Sequence, residues 1–128
     1  MRPKRRPISL PDRGVKQSQP AKRATVALVL LGQLAIDRHR HEVTVGDQVV
    51  HLTPREFQLL WTLTQRPGKV YRREELLKLV WGTETFVAVR TVDVHMAKLR
   101  HKLRTSDDRP DIVETIWGVG YRLQIRPQ

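Results

Sequence analysis

Hydrophobic positions change their spacing twice along this chain. From Val26 to Leu52 they come in short runs broken by turn residues: Val26–Leu31, Gln33–Asp37 after Gly32, Glu42–Val45, and Gln48–Leu52 after the pair Gly46-Asp47. β-Branched runs on both sides of a Gly-Asp pair signal a hairpin. The four runs together predict a small antiparallel sheet. At Thr53 the spacing becomes helical. A hydroxyl residue, then Pro54, then Glu56 at the third position reads as a helix start. Phe57, Leu60, Trp61 and Thr64 fall on one face with Leu63 beside it, and Pro67-Gly68 ends the segment. On that pattern Trp61 is a core residue.

A second helix is predicted from Arg73-Glu74-Glu75 to Trp81-Gly82, carrying Leu76, Leu77, Leu79 and Val80, followed by a loop, Thr83–Ala88. The third helix, Val89–Leu103, is the informative one. At about 100° per residue, Val92, Met96, Leu99 and Leu103 form one apolar stripe. Met96 is thereby core and not a ligand. The opposite face presents Arg90, Thr91, Val94, Ala97, Lys98 and His101, with Arg104 at its margin. An ordinary solvated face mixes long side chains of both signs. This one combines cations with small residues and has no acid at its centre, so it is shallow enough to approach a groove. A polar connection, Thr105–Asp111, leads to Ile112–Trp117, the turn Gly118-Val119-Gly120, and Tyr121–Ile125. That is a second hairpin. The fold class is therefore α+β: an N-terminal four-stranded antiparallel sheet, three helices and a C-terminal β-hairpin. The order is that of a winged helix-turn-helix, whose third helix enters the major groove of DNA while the hairpin, or wing, follows the backbone or minor groove.

Charge sharpens this picture. The 128 residues carry 24 Lys and Arg against 13 Asp and Glu, a net charge of +11. So basic a chain calls for a polyanionic partner, nucleic acid before an anionic membrane surface. The charge is uneven. Residues 1–24 hold eight cations, one acid and four of the eight prolines without a hydrophobic period, and are read as a disordered basic arm or linker. Residues 25–128 form the folded domain and are only mildly basic, at +4, so its binding surface must come from local clustering.

Several chemistries drop out. There is no cysteine, hence no disulfide framework, thiolate zinc site or cysteine nucleophile. His39 and His41 alternate with Arg38 and Arg40 in a way that suits a solvated turn better than a metal site. No P-loop or Ser/His/Asp spacing is present, and Gly118-Val119-Gly120 is too short to cradle a phosphate. No cofactor, metal or enzymatic activity is expected. The most apolar run, Ala24–Ile36, is too short to span a bilayer and no secretory signal is readable, so the expected address is the cytoplasm, at the nucleoid.

Three stretches, LTPREFQLLWTL (Leu52–Leu63), RTVDVHMAKLRHKL (Arg90–Leu103) and IWGVGYRL (Ile116–Leu123), resemble the effector domain of the OmpR/PhoB family of bacterial response regulators. The resemblance covers about residues 28–125. It implies sequence-specific binding of double-stranded DNA and transcriptional regulation, commonly by head-to-tail pairs on direct repeats. Carried over by position, it assigns DNA contacts to Arg90, Thr91, Asp93, Val94, His95, Lys98 and Arg100 of the third helix. It assigns a phosphate contact to Trp81, and wing contacts to Thr115, Trp117 and Tyr121. The loop Gly82–Ala88 corresponds to the segment that some family activators present to RNA polymerase. Two positions depart from the usual pattern. Trp117 stands where an arginine often precedes the wing-tip glycine, and Ala97 where a cation is common, which leaves Lys98 as the main base-reading cation. Family members also carry a receiver domain, for which residues 1–27 are too short, so a stand-alone effector or a fragment is expected.

Three assignments keep two roles open. Trp81 suits either packing at the core's rim or a phosphate. Asp93 suits either an ion pair orienting Arg90 or Arg100, or acceptance from a cytosine amino group. Arg100 lies toward the flank, where backbone contact is favoured over base contact. A non-specific nucleic-acid coat or ribosome-associated protein is the alternative function, separable by the affinity ratio between a preferred site and random duplex.

Overall fold

A computed structural model describes residues 28–104 and 111–124. The basic arm at residues 1–24 lies outside the described residues, as do the connection 105–110 and the two ends of the chain. Four strands come first: β1 (Leu28–Leu31), β2 (Leu34–Asp37), β3 (Glu42–Val45) and β4 (Gln48–Val50). They pair in chain order as an antiparallel meander. Its register sets Leu34 opposite Val45 and Ile36 opposite Val43. All four face the core, together with Val50. The period-2 pattern therefore did what it predicted, burying one face and leaving the other to solvent.

Helix α1 (Pro54–Gln65) starts at Thr53. The Thr53 hydroxyl accepts from the Glu56 backbone N–H at 3.2 Å, and the Glu56 carboxylate accepts from the Thr53 N–H at 2.9 Å. This is the reciprocal capping box that the sequence announced. Phe57, Leu59, Leu60 and Leu63 are buried, whereas Trp61 is only half-buried. Trp61 is thus corrected from core to rim, with the Arg38 guanidinium 5.4 Å from its ring centroid. Leu59 takes the deeper position. In the β2–β3 turn, His41 stacks on Phe57 at 4.4 Å.

A two-residue strand, β5 (Tyr71–Arg72), leads directly into α2 (Arg73–Trp81), and α3 (Arg90–Leu103) follows the loop. The wing strands are β6 (Val113–Ile116) and β7 (Gly120–Leu123). Strand β5 pairs antiparallel with β7, so the predicted hairpin is one side of a three-stranded sheet of order β5-β7-β6. The sequence pattern missed β5. Two residues are too few to show a period, and what identifies them is their partner. Gly120 is correspondingly a strand residue and not part of the turn. A Cβ on it would lie 1.9 Å from the Tyr71 carbonyl oxygen. Gly118 is the turn glycine, at φ +79°. Leu76, Val92, Met96, Leu99, Val113 and Leu123 close the core between the helices and the two sheets.

Candidate nucleic-acid interface

The apolar stripe of α3 is buried as predicted: Val92, Met96 and Leu99 are fully covered and Leu103 nearly so. On the other side Arg90, Val94, Ala97, Lys98 and His101 are exposed, and Thr91 and His95 are half-buried. The cations of this helix divide into two groups. Arg100, Lys102 and Arg104 are engaged within the protein. Arg90 and Lys98 have no hydrogen bond or ion pair among the described residues, and both project from the exposed face beside Val94 and Ala97.

The N-terminal half of α3 is tied to two other elements through Asp93. Arg73, the first residue of α2, donates Nε to Asp93 Oδ1 at 3.1 Å and Nη2 to Oδ2 at 2.7 Å. Tyr121 of β7 donates its hydroxyl to Oδ1 at 2.8 Å. The expected ion pair therefore exists, but its partner is Arg73 rather than Arg90 or Arg100. Two residues on, the ring of His95 meets Trp81 edge-on at 5.2 Å, with Nδ1 2.9 Å from the Thr91 carbonyl oxygen. A carbonyl only accepts, so Nδ1 is the donor in this contact. The Arg55 guanidinium sits 5.1 Å from the Trp81 ring centroid, while its Nη1 donates to the Val80 carbonyl at 2.7 Å. Trp81 is half-buried and packed against the core. It therefore sits at the core's rim.

The C-terminal half of α3 is tied to the wing. Arg100 donates Nη1 to the Thr115 hydroxyl at 2.7 Å and Nη2 to Asp111 at 2.8 Å, and Arg104 reaches the other oxygen of Asp111 at 3.1 Å. The hydrogen bond from Arg100 is the main influence holding the Asp111 carboxyl below its usual range, with Arg104 adding to it. Beyond these bonds the wing projects Trp117, 89% exposed, and Val119, 44% exposed, on either side of Gly118. On the wing's flank Arg122 donates Nε to Glu114 at 2.7 Å, across a directly opposed pair of the ladder. Arg122 is therefore engaged within the wing. Arg122→Ala is expected to change affinity for any duplex by less than about twofold, and by the same factor for all, as for an exposed ion pair. A titration of one preferred and one scrambled duplex checks this.

The sequence profile of the family described as "Transcriptional regulatory protein, C terminal" matches residues 47–123. The chain belongs to that family. The transcriptional regulatory protein SrrA of Staphylococcus aureus is 42% identical over 113 residues, covering 88% of this chain and 46% of SrrA. This chain thus spans about half the length of the curated relatives it matches. Among solved structures, the response regulator DrrB of Thermotoga maritima, an OmpR/PhoB homologue, is 36% identical with a TM-score of 0.67 over 77% of this chain and 44% of DrrB. The DNA-binding domain of Klebsiella pneumoniae RstA, solved in complex with the RstA box, is 31% identical with a TM-score of 0.66 over 76% of this chain and 96% of that domain.

In this winged-helix, OmpR/PhoB-type domain, the sequence-assigned residues separate by geometry. Arg90, Val94, Lys98 and Trp117 are exposed, and Thr91, His95 and Trp81 are half-exposed around them. Asp93, Arg100, Thr115 and Tyr121 are bound to one another's elements at the seam between α3 and the wing. Sequence reasoning missed Arg73 and Arg55. A bidentate arginine twenty residues before its carboxylate leaves no local signal, because the pair is made by tertiary packing of α2 on α3. Among the described residues no helix is long and apolar enough to cross a membrane.

Proposed function

We propose that this domain regulates transcription by binding double-stranded DNA sequence-specifically, with α3 in the major groove and the β6–β7 wing along the backbone and minor groove. The observation that carries this reading is the exposed face of α3. Two cations without a protein partner among the described residues, Arg90 and Lys98, flank the low side chains Val94 and Ala97. A lysine there can donate to the O6 and N7 acceptors of guanine, and Val94 can meet a thymine methyl. Thr91 and His95 lie at the edge of that face, and Trp81 with Thr115 borders it toward the phosphates. The RstA domain bound to its box, similar over almost its whole length, supports the same mode here. The role is binding, with no reaction catalysed, and the site of action is the nucleoid. Two copies arranged head-to-tail on direct repeats would extend the contact. The loop Gly82–Ala88, which presents a fully exposed Phe86, would be offered to RNA polymerase.

The test is Lys98→Ala. Selection of bound duplexes from a random pool should yield an operator for the parent. The variant should bind that operator about 1–3 kcal/mol more weakly and lose base preference at one or two positions. Folding should be unaffected, since Lys98 is exposed. Unchanged base preferences in the variant would show that the reading face lies elsewhere.

A further inference from the structure

We propose that Arg73, Asp93 and Tyr121 form a brace that positions the recognition helix against the wing, and that Asp93 and Tyr121 act on DNA through this brace rather than by touching it. The inference rests on the DNA-binding reading above.

Three elements meet at one carboxylate: the start of α2, the first turn of α3 and strand β7. A carboxylate accepts at about four lone-pair sites. Asp93 uses three of them, at 3.1, 2.7 and 2.8 Å. Little remains for a cytosine amino group. The case of Tyr121 is stricter. A phenol has one proton to donate, and here it goes to Asp93. Burial, and then the bond to Asp93, push the Tyr121 phenol up to about 12, so that proton stays in place at any pH near neutrality. A phosphate oxygen only accepts. While the brace is formed, Tyr121 has nothing to give it, and the residue is in any case only 8% exposed.

A single attachment would leave a hinge, but there are two. Tyr121 lies directly opposite Thr115 in the wing ladder. Thr115 is held by Arg100, which stands two helical turns after Asp93 on the same side of α3. Asp93 therefore grips one wing strand and Arg100 the other, at points about 10 Å apart along the helix axis. Attachment at two such points fixes rotation as well as separation. The major-groove and wing contacts then keep a constant phase along the duplex. This is the feature a specific site can exploit and random DNA cannot.

The experiment compares Tyr121→Phe, Asp93→Asn and their double variant with the parent, on the parent's selected operator and on random duplex. Tyr121→Phe keeps the buried ring and removes only the hydroxyl. Each single variant should lose about fivefold to tenfold on the operator, the scale of one hydrogen bond, and change by less than about twofold on random duplex. The double variant should be no worse than the weaker single one, because both remove the same brace. Selections with the variants should retain the bases read by Lys98 and lose the fixed spacing between helix-read and wing-read positions. If Asp93→Asn fails to fold, Tyr121→Phe and Arg73→Lys carry the same comparison. Equal losses on operator and random duplex for Tyr121→Phe would mean that its hydroxyl bonds phosphate. A changed base at one position for Asp93→Asn alone would mean that Asp93 reads DNA. Additive losses would mean that the two act separately. Any of these overturns the brace. A parent that prefers no duplex over random overturns the DNA reading, and the brace with it.

Discussion

Gly120→Ala is expected to destabilise the domain by at least about 3 kcal/mol, more than a typical point substitution. The reason is not backbone freedom. A Cβ at Gly120 would lie 1.9 Å from the carbonyl oxygen of Tyr71 and 2.9 Å from the Cα of Arg72. Both are backbone atoms, so no side chain can swing aside. The only relief is to part β5 from β7, which pair at Tyr71 with Tyr121 and Arg72 with Gly120. Parting them loosens two buried tyrosines, Tyr71 and Tyr121, and moves the phenol that reaches Asp93. Gly118 supplies the control. It lies two residues away at φ +79°, and a Cβ there meets nothing within 4 Å. Gly118→Ala should cost only the strain of a left-handed residue, about 1–2 kcal/mol. Urea unfolding of the two variants beside the parent decides the matter. Equal costs would mean that β5 does not approach β7 as closely as described.

That contrast marks what the sequence could and could not reveal. Two glycines bracketing one residue at a hairpin tip read as a turn, because local pattern speaks of turns. Only Gly118 serves that purpose. Gly120 is required by a strand fifty residues earlier, and nothing near it in the sequence says so. The same limit explains Arg73 and Asp93. The spacing of Val92, Met96, Leu99 and Leu103 identified the buried side of α3, and by subtraction the face that presents Lys98 and Val94, since a helix's two sides are fixed by a single period. The same period set Arg90 and Lys98 on the outer face and Arg100 and Arg104 toward its flank, but which of these cations and Lys102 find partners within the protein was not legible. They differ because Thr115, Asp111 and Glu56 are brought to three of them by the wing and by α1. The capping box at Thr53 and Glu56 was legible as a local motif. That Glu56 also bonds across to α3 was not.

Lys102→Ala is the second large effect, expected at about 2–3 kcal/mol at pH 7. Lys102 Nζ lies 2.7 Å from Glu56 Oε1. The Glu56 side chain is 1% exposed and that of Lys102 35% exposed. Removing the lysine leaves a carboxylate in the core held, among the described residues, by Thr53. Breaking a fully buried pair costs about 3–5 kcal/mol, and the partial exposure of Lys102 places this one at or below the bottom of that range. The pH dependence separates this from a simple loss of packing. Burial alone would raise the Glu56 carboxyl. The Lys102 and Thr53 hydrogen bonds and the lysine's charge outweigh it and hold Glu56 below its ordinary 4.5. A carboxyl lowered on folding stabilises the folded state above its unfolded value, and that contribution is lost as pH falls through the folded value. Without Lys102 burial is less opposed, so Glu56 protonates at higher pH and relieves its own penalty sooner. Asp111 and Glu75 are also lowered by their partners, but they are present in parent and variant alike and cancel in the difference. The gap between parent and Lys102→Ala should therefore be widest near neutrality and close as pH falls from about 5 toward 3. Unfolding free energies at pH 7, 5 and 3 measure it. A gap independent of pH would show that the lysine contributes through its packed stem and not through its charge.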